Sequence, residues 1–168
     1  MEFILFTGYI NSGKSTTAKR MCEILQNDGY SVAVMSLAAP LKELAGKYFK
    51  YIETEKNERR DILENLATDL KELFGKSLFA YTLLDKCDKL NVNYVIVDDL
   101  RYKEEFNAIS DFFPTTVIVT PRVDTVQYSN DLLRIDSLLS YFKSIDYQFI
   151  QMTDLTDYSI KHILYGIE

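Results

Sequence analysis

Gly8–Ser15, GYINSGKS, constrains the chain more than any other stretch. It matches G-x-x-x-x-G-K-[ST], and its surroundings are those the pattern needs. The apolar run Phe3–Thr7 precedes it and reads as a buried first strand. A helical pattern follows from Ser15 to about Asn27, with Gly29 suited to the C-terminal cap. A strand, a glycine loop and a helix in this order form a cradle for phosphate. Gly8 and Gly13 let main-chain N–H groups converge on an anion without interference from a Cβ, and Asn11, Ser12 and Thr16 belong to the same cradle. The helix N-terminus adds partial positive charge. Lys14 is placed to reach the β- and γ-phosphates of a nucleoside triphosphate such as ATP, and the Ser15 hydroxyl to ligate Mg²⁺.

Strand-like and helix-like stretches alternate along the rest of the chain. Ser31–Ser36 reads as a second strand, and the stretch from about Leu41 to Lys89 as helical. Ile62, Leu63, Leu66, Leu70 and Leu73 fall near one helix face, Gly75 breaks that run, and a further helix covers about 77–89. Tyr94–Val97 is a third strand, Tyr102–Phe112 a helix and Thr115–Val119 a fourth strand. A polar stretch from Pro121 leads to a helix over about 131–143, a short strand at Tyr147–Ile150 and a last helix at Asp157–Leu164. Strands separated by helical crossovers imply an α/β, three-layer P-loop kinase fold with about five parallel strands and helices on both faces. Residues 1–168 are expected to form one domain, with a helical region at about 38–90 and a lid at about 121–143. Gly8–Ser15, Ser36–Leu41, Asp98–Arg101 and Pro121–Asp124 should share the edge beyond the strands' carboxyl ends, where such sheets bind ligands.

Composition narrows the partners. The formal charge of −6 lacks the basic face that duplex binding needs, so nucleic acid is not expected as a partner. No segment approaches a membrane span, and the N-terminal apolar run is too short for a signal peptide. Cys22 and Cys87 are far apart and lack metal-ligand spacing, which fits inert thiols in a cytoplasmic protein. The expected partners are small-molecule nucleotides; a homodimer is left open.

Asp98, at the end of Val95-Ile96-Val97, has the position of an acid that supports Mg²⁺ beside a phosphate loop; its neighbour Asp99 is the alternative, and a turn or cap role is open to both. A second anion held in line with the γ-phosphate calls for cations, and Lys42, Arg59, Arg60, Arg101, Arg122 and Arg134 are the candidates. Lys42 follows the second strand and Arg101 follows Asp98 at the sheet edge. Glu104 or Glu105 could pair with Arg101 instead. Arg59 and Arg60 stand in a mixed-charge run that reads as a solvated face. Phe74, Phe79 and Tyr81 are the aromatics placed near this region. His162, the only histidine, reads as an ordinary helix residue.

Four segments in order resemble the bacteriophage deoxynucleoside monophosphate kinases, a branch of the P-loop kinases near adenylate kinase. They are Gly8–Thr16 (GYINSGKST), Leu37–Leu44 (LAAPLKEL), Arg60–Asp69 (RDILENLATD) and Val97–Glu105 (VDDLRYKEE). The resemblance implies transfer of the γ-phosphate of ATP, with Mg²⁺, to a deoxynucleoside monophosphate. It further implies that Lys42, Arg60 and Arg101 contact the acceptor's phosphate, that Thr68 and Asp69 lie near the acceptor, and that Asp98 or Asp99 serves the metal. Apart from the resemblance, Arg122 and Arg134 are the candidates for lid cations that could cover the transferring phosphate, with surface roles as the alternative. The chain departs from the family at Glu64 (often Gln), Ala67 (Gly) and Glu104 (Asn). Gln127-Tyr128-Ser129-Asn130 stands where the family has an H-x-S-E-like motif. A kinase of another phosphorylated metabolite, or a nucleotide-binding module without catalysis, are the competing expectations.

Overall fold

The computed structural model describes residues 1–9, 11–49, 60–121 and 129–165. The elements are β1 (Glu2–Thr7), α1 (Lys14–Asn27), β2 (Val32–Met35), α2 (Ala39–Phe49), α3 (Arg60–Phe74), α4 (Leu78–Cys87), β3 (Tyr94–Val97), α5 (Lys103–Ser110), β4 (Thr115–Val119), α6 (Ser129–Ser144), β5 (Ile150–Gln151) and α7 (Asp157–Tyr165). The five strands form one sheet in the order β2-β3-β1-β4-β5, every pairing parallel.

Side chains alternate across the sheet, and both faces are covered. Phe3, Leu5, Val95, Val97 and Val117 face a core built with Leu41, Phe79, Leu83, Phe106 and Phe142. Ile4, Phe6, Ile96 and Ile118 face the other, built with Met21, Leu25 and Ile160. The near-continuous apolar character of β1, β3 and β4 follows from this double burial. Phe3 and Phe6 are fully buried, worth about 1.5–3 kcal/mol each. The layers are therefore α2, α4, α5 and α6 on one side and α1 and α7 on the other, as expected for the three-layer fold.

Two expectations are corrected. The last strand lies at Ile150–Gln151, later than Tyr147–Ile150. Tyr147 and Phe149 instead pack into an aromatic group with Phe142, and the Tyr147 hydroxyl donates to the Thr115 carbonyl at 2.5 Å. The apolar alternation there reflects core packing, and ladder pairing starts only where Ile150 meets Ile118. On α3, Leu63, Leu66, Ala67 and Leu70 pack on the core, whereas Ile62 and Leu73 are 46% and 76% exposed. At 3.6 residues per turn those two lie roughly 90° from the centre of the packed face. Cys22 is half-buried and Cys87 buried. Burial pushes both thiols up, Cys87 to about 11, which suits inert side chains. Among the described residues no helix is long and apolar enough to cross a membrane.

Candidate functional site

The parallel sheet brings the carboxyl ends of β1, β3 and β4 together, and the glycine loop rises from the first. Its anchorage is mostly hydroxyl-based. The Thr7 Oγ1 donates to the Leu100 carbonyl at 2.9 Å, and Ser12 Oγ and Thr120 Oγ1 lie 2.6 Å apart, tying the loop to the end of β4. Gly8 takes φ +139°, and a Cβ there would stand 2.2 Å from Thr120 Oγ1. Gly13 takes φ +81° with Leu155 Cδ1 2.4 Å from where its Cβ would be. Asn11 also has positive φ, at 59°, a conformation Asn tolerates better than most residues. Neither glycine can be replaced without strain or displacement of a neighbour.

Lys14 opens α1 and turns back into the loop. Its Nζ donates to the Gly8 carbonyl at 2.9 Å, the Tyr9 carbonyl at 2.5 Å and Ser12 Oγ at 3.3 Å. The ammonium is thus held within the cradle it would serve.

A cavity of about 590 Å³ opens from the loop toward the helical layer, within the range of small-molecule sites. Asn11, Ser12, Gly13, Lys14, Ser15 and Thr16, from the loop and the start of α1, line it. Its walls also include Lys42 from α2, Glu64 and Thr68 from α3, Asp98, Asp99 and Arg101 from the β3–α5 turn, and Arg134 from α6. The topology therefore brings together most of the residues singled out in the sequence. Asp69 is exposed on α3 and outside the lining. Arg60 opens α3, but its side chain lies outside the described residues, as do Arg59 and Arg122. Phe79 lines the cavity; Phe74 and Tyr81 are 66% and 55% exposed.

The neighbours Asp98 and Asp99 have different surroundings. Asp99 accepts from Ser36 Oγ at 2.7 Å, Leu37 N at 2.8 Å and Ala38 N at 3.0 Å, so it holds the turn that starts α2. Burial raises its pKa despite those three donors. Asp98 makes no hydrogen bond among the described residues and lines the cavity.

Three residues that composition does not single out complete the inner wall: Lys71, Tyr102 and Glu105. Lys71 Nζ donates to Glu105 Oε1 at 2.8 Å and lies 3.7 Å from the Tyr102 ring centroid. Glu105 Oε2 accepts from the backbone N–H groups of Arg101 at 3.2 Å and Tyr102 at 3.1 Å. Burial raises the Glu105 pKa, and Lys71 opposes that. Glu105 thus braces Arg101 through its main chain, whereas Glu104 pairs with Lys76 at 3.6 Å. Arg134 approaches Glu64 at 3.9 Å and the Tyr102 ring at 5.8 Å. In the sequence Lys71 and Glu105 look like ordinary charges of solvated helix faces. The one local signal is Glu105's place in the first turn of α5, where a carboxylate can reach back to the preceding N–H groups.

A crystal structure of thymidylate kinase from Ehrlichia chaffeensis superimposes with a TM-score of 0.60 at 16% identity, over 98% of this chain and 97% of that one. The fold is that of the P-loop kinases. A crystal structure of APE1195 is similar with a TM-score of 0.45 at 17% identity, over 96% of this chain and 91% of that one. The family model for the chromatin associated protein KTI12 matches residues 1–75, a stretch that begins at β1 and includes the P-loop. No curated protein matches this chain.

Proposed function

We propose that this P-loop kinase-like chain transfers the γ-phosphoryl group of ATP to a deoxynucleoside monophosphate, giving the diphosphate. The observation that carries this is the continuous cavity, with the loop at one end and Lys42, Arg101 and Arg134 on its other walls. Lys42 and Arg101 come from two separate elements, and an unphosphorylated acceptor would not call for both in addition to the loop's own lysine. The resemblance of the four ordered segments to the phage monophosphate kinases supports the same acceptor, and the thymidylate kinase fold is consistent with it.

An acceptor phosphate oxygen forms the new bond to the γ-phosphorus while the bond to the β–γ bridging oxygen breaks and ADP leaves. The loop N–H groups and Lys14 would hold the donor phosphates; Lys42 and Arg101, with Arg60 by resemblance, the acceptor phosphate; Arg134 and Arg122, the candidate lid cations, the group in flight. The acceptor is already an anion, so no side-chain base is needed. Among the described residues no group of three or more His, Cys, Asp or Glu could hold a metal alone. One hydroxyl and one carboxylate, Ser15 and Asp98, suit Mg²⁺, which binds through one or two protein groups plus substrate phosphates. Ser15 and Asp98 both line the cavity and would supply those groups, since Asp99 is engaged with the start of α2. When bound, Mg²⁺ neutralises charge on the β- and γ-phosphates. On this reading residues 38–90 form the acceptor-binding region and residues 121–143 the lid.

Incubation with ATP, Mg²⁺ and a panel of nucleoside monophosphates, with nucleotides resolved by chromatography, tests the proposal. ADP and a nucleoside diphosphate should appear together in equal amounts. The match of residues 1–75 to the KTI12 model is consistent with a second reading, a nucleotide-binding module without transfer. Tight ATP binding with no phosphorylated product from any monophosphate would overturn the monophosphate reading and support this one.

A further inference from the structure

The glycine loop is tied to α6 as well as to the sheet. The Tyr9 hydroxyl donates to Asp136 Oδ1 at 3.0 Å, across 127 residues of sequence. The base of that side chain is held in place. The Tyr9 carbonyl accepts from Ser12 N at 3.2 Å and from Lys14 Nζ at 2.5 Å, so the phenol projects from the turn that shapes the loop. Tyr9 is half-buried and Asp136 exposed, and a hydrogen bond so placed adds little to the stability of the fold.

The geometry of α6 shows what the contact can set. Successive residues of an α-helix stand about 100° apart. Ile135 is fully buried, so Arg134 and Asp136 lie on opposite flanks of the buried line. Arg134 lines the cavity, 3.9 Å from Glu64 and 5.8 Å from the Tyr102 ring, while Asp136 meets the loop. Leu138 and Phe142 anchor the helix further along in the core. The roll of its first turns is then governed by contacts on the two flanks. A hold on Asp136 resists the rotation that would swing Arg134 away from the cavity.

We infer that Tyr9 and Asp136 are positioning residues for phosphoryl transfer. Their hydrogen bond couples the loop proposed to hold the donor phosphates to the helix that carries Arg134, and sets that guanidinium over the group in flight. Transfer between two bound anions depends on charge standing where it develops in the transition state. A displaced Arg134 therefore slows the step and leaves the other contacts to both substrates as they were. This rests on the monophosphate reading and on the place of Arg134 in it, and deepens both.

The test is the single-turnover rate with ATP, Mg²⁺ and the monophosphate that the wild-type protein uses best, with both affinities read by calorimetry. Tyr9→Phe removes only the hydroxyl. It should slow transfer about three- to tenfold, the scale of one hydrogen bond, with affinity for ATP and acceptor unchanged. Asp136→Ala should do the same, and the double variant should lose no more than either single one. Asp136→Asn keeps an acceptor oxygen and should retain most of the rate. In an Arg134→Ala background, Tyr9→Phe should cost nothing further. A merely structural hydroxyl would instead add its loss to that of Arg134. A wild-type rate in Tyr9→Phe, additive losses in the double variant, equal losses in Asp136→Asn and Asp136→Ala, or an undiminished effect without Arg134 overturns the inference and leaves monophosphate transfer standing. If Arg134→Ala shows no measurable transfer, the Tyr9–Asp136 cycle and the Asn rescue decide. If Tyr9→Phe does not fold, the two Asp136 variants decide. Absence of turnover with every monophosphate overturns the acceptor reading and this inference with it.

Discussion

The two ends of the cavity are built in different ways. The part proposed to hold the donor is one contiguous stretch, Gly8–Ser15, whose working groups on that proposal are mostly main-chain N–H donors. Its shape depends on positive φ at Gly8, Asn11 and Gly13 and on hydroxyl anchors to the sheet edge. The part proposed to hold the acceptor is made of side chains from separate elements. Lys71 meets Glu105 from α3 to α5, and Arg134 approaches Glu64 from α6 to α3. A site made of backbone is held by conformation and tolerates few replacements. A site made of dispersed side chains can change its ligand through one substitution while the fold stays as it is.

The contrast can be tested from its strongest point downward. Lys14→Ala removes the one side-chain cation of the donor loop. Transfer should fall by about a thousandfold or more in single-turnover assays, with circular dichroism unchanged. Retained turnover would take the loop out of the mechanism. Arg101→Ala acts at the opposite end. It should cost roughly ten- to a hundredfold in kcat/KM for the acceptor and leave direct ATP affinity as it was. A matching loss of ATP affinity would show that the two ends are not separable.

The adjacent acids sharpen the comparison further. Asp99→Asn puts an amide where Leu37 N and Ala38 N now donate, and should lower unfolding stability by about 1–3 kcal/mol in a denaturant titration. Asp98→Asn should hardly move stability and should raise the Mg²⁺ concentration needed for half-maximal activity. Exchange of those two phenotypes would reverse the assignment of the pair.

The smallest effect belongs to Asp154, beside the donor loop. It accepts from Thr156 N, Thr156 Oγ1 and Ser159 Oγ, which hold its pKa at about 2 against an ordinary 3.8. A depressed folded-state pKa adds stability above the unfolded value, and that contribution is lost as pH falls through the folded one. Asp154→Ala should therefore lower the melting temperature slightly near neutrality and leave it nearly unchanged at pH 2. An equal drop at both pH values would mean the hydrogen bonds to the ionised form are not responsible.

Much of the donor half is legible in the amino-acid sequence, because its determinants are local. Apolar run, glycine spacing and helix onset all fall within residues 3–27, and each reports backbone sterics or periodicity. The five parallel strands and their alternation with helices are legible for the same reason. Periodicity places β5 too early because Tyr147 and Phe149 are apolar for the sake of the aromatic core, and alternation does not separate a paired strand from a packed approach to one. It puts Ile62 and Leu73 on the buried face of α3 because a stripe drawn on one helix has no partner to set its width.

The sequence by itself determined the loop, the order of the elements and the set of charges available. The tertiary structure alone decided which of those charges act together. Asp98 and Asp99 are alike as residues; the return of the β2–α2 turn gives Asp99 its three donors and leaves Asp98 facing the cavity. Lys71 and Glu105 look like surface charges until α3 and α5 are packed side by side. Packing then turns a common lysine into the partner of a buried carboxylate. Local chemistry is written in neighbouring residues, whereas burial and pairing depend on what the folded chain brings alongside.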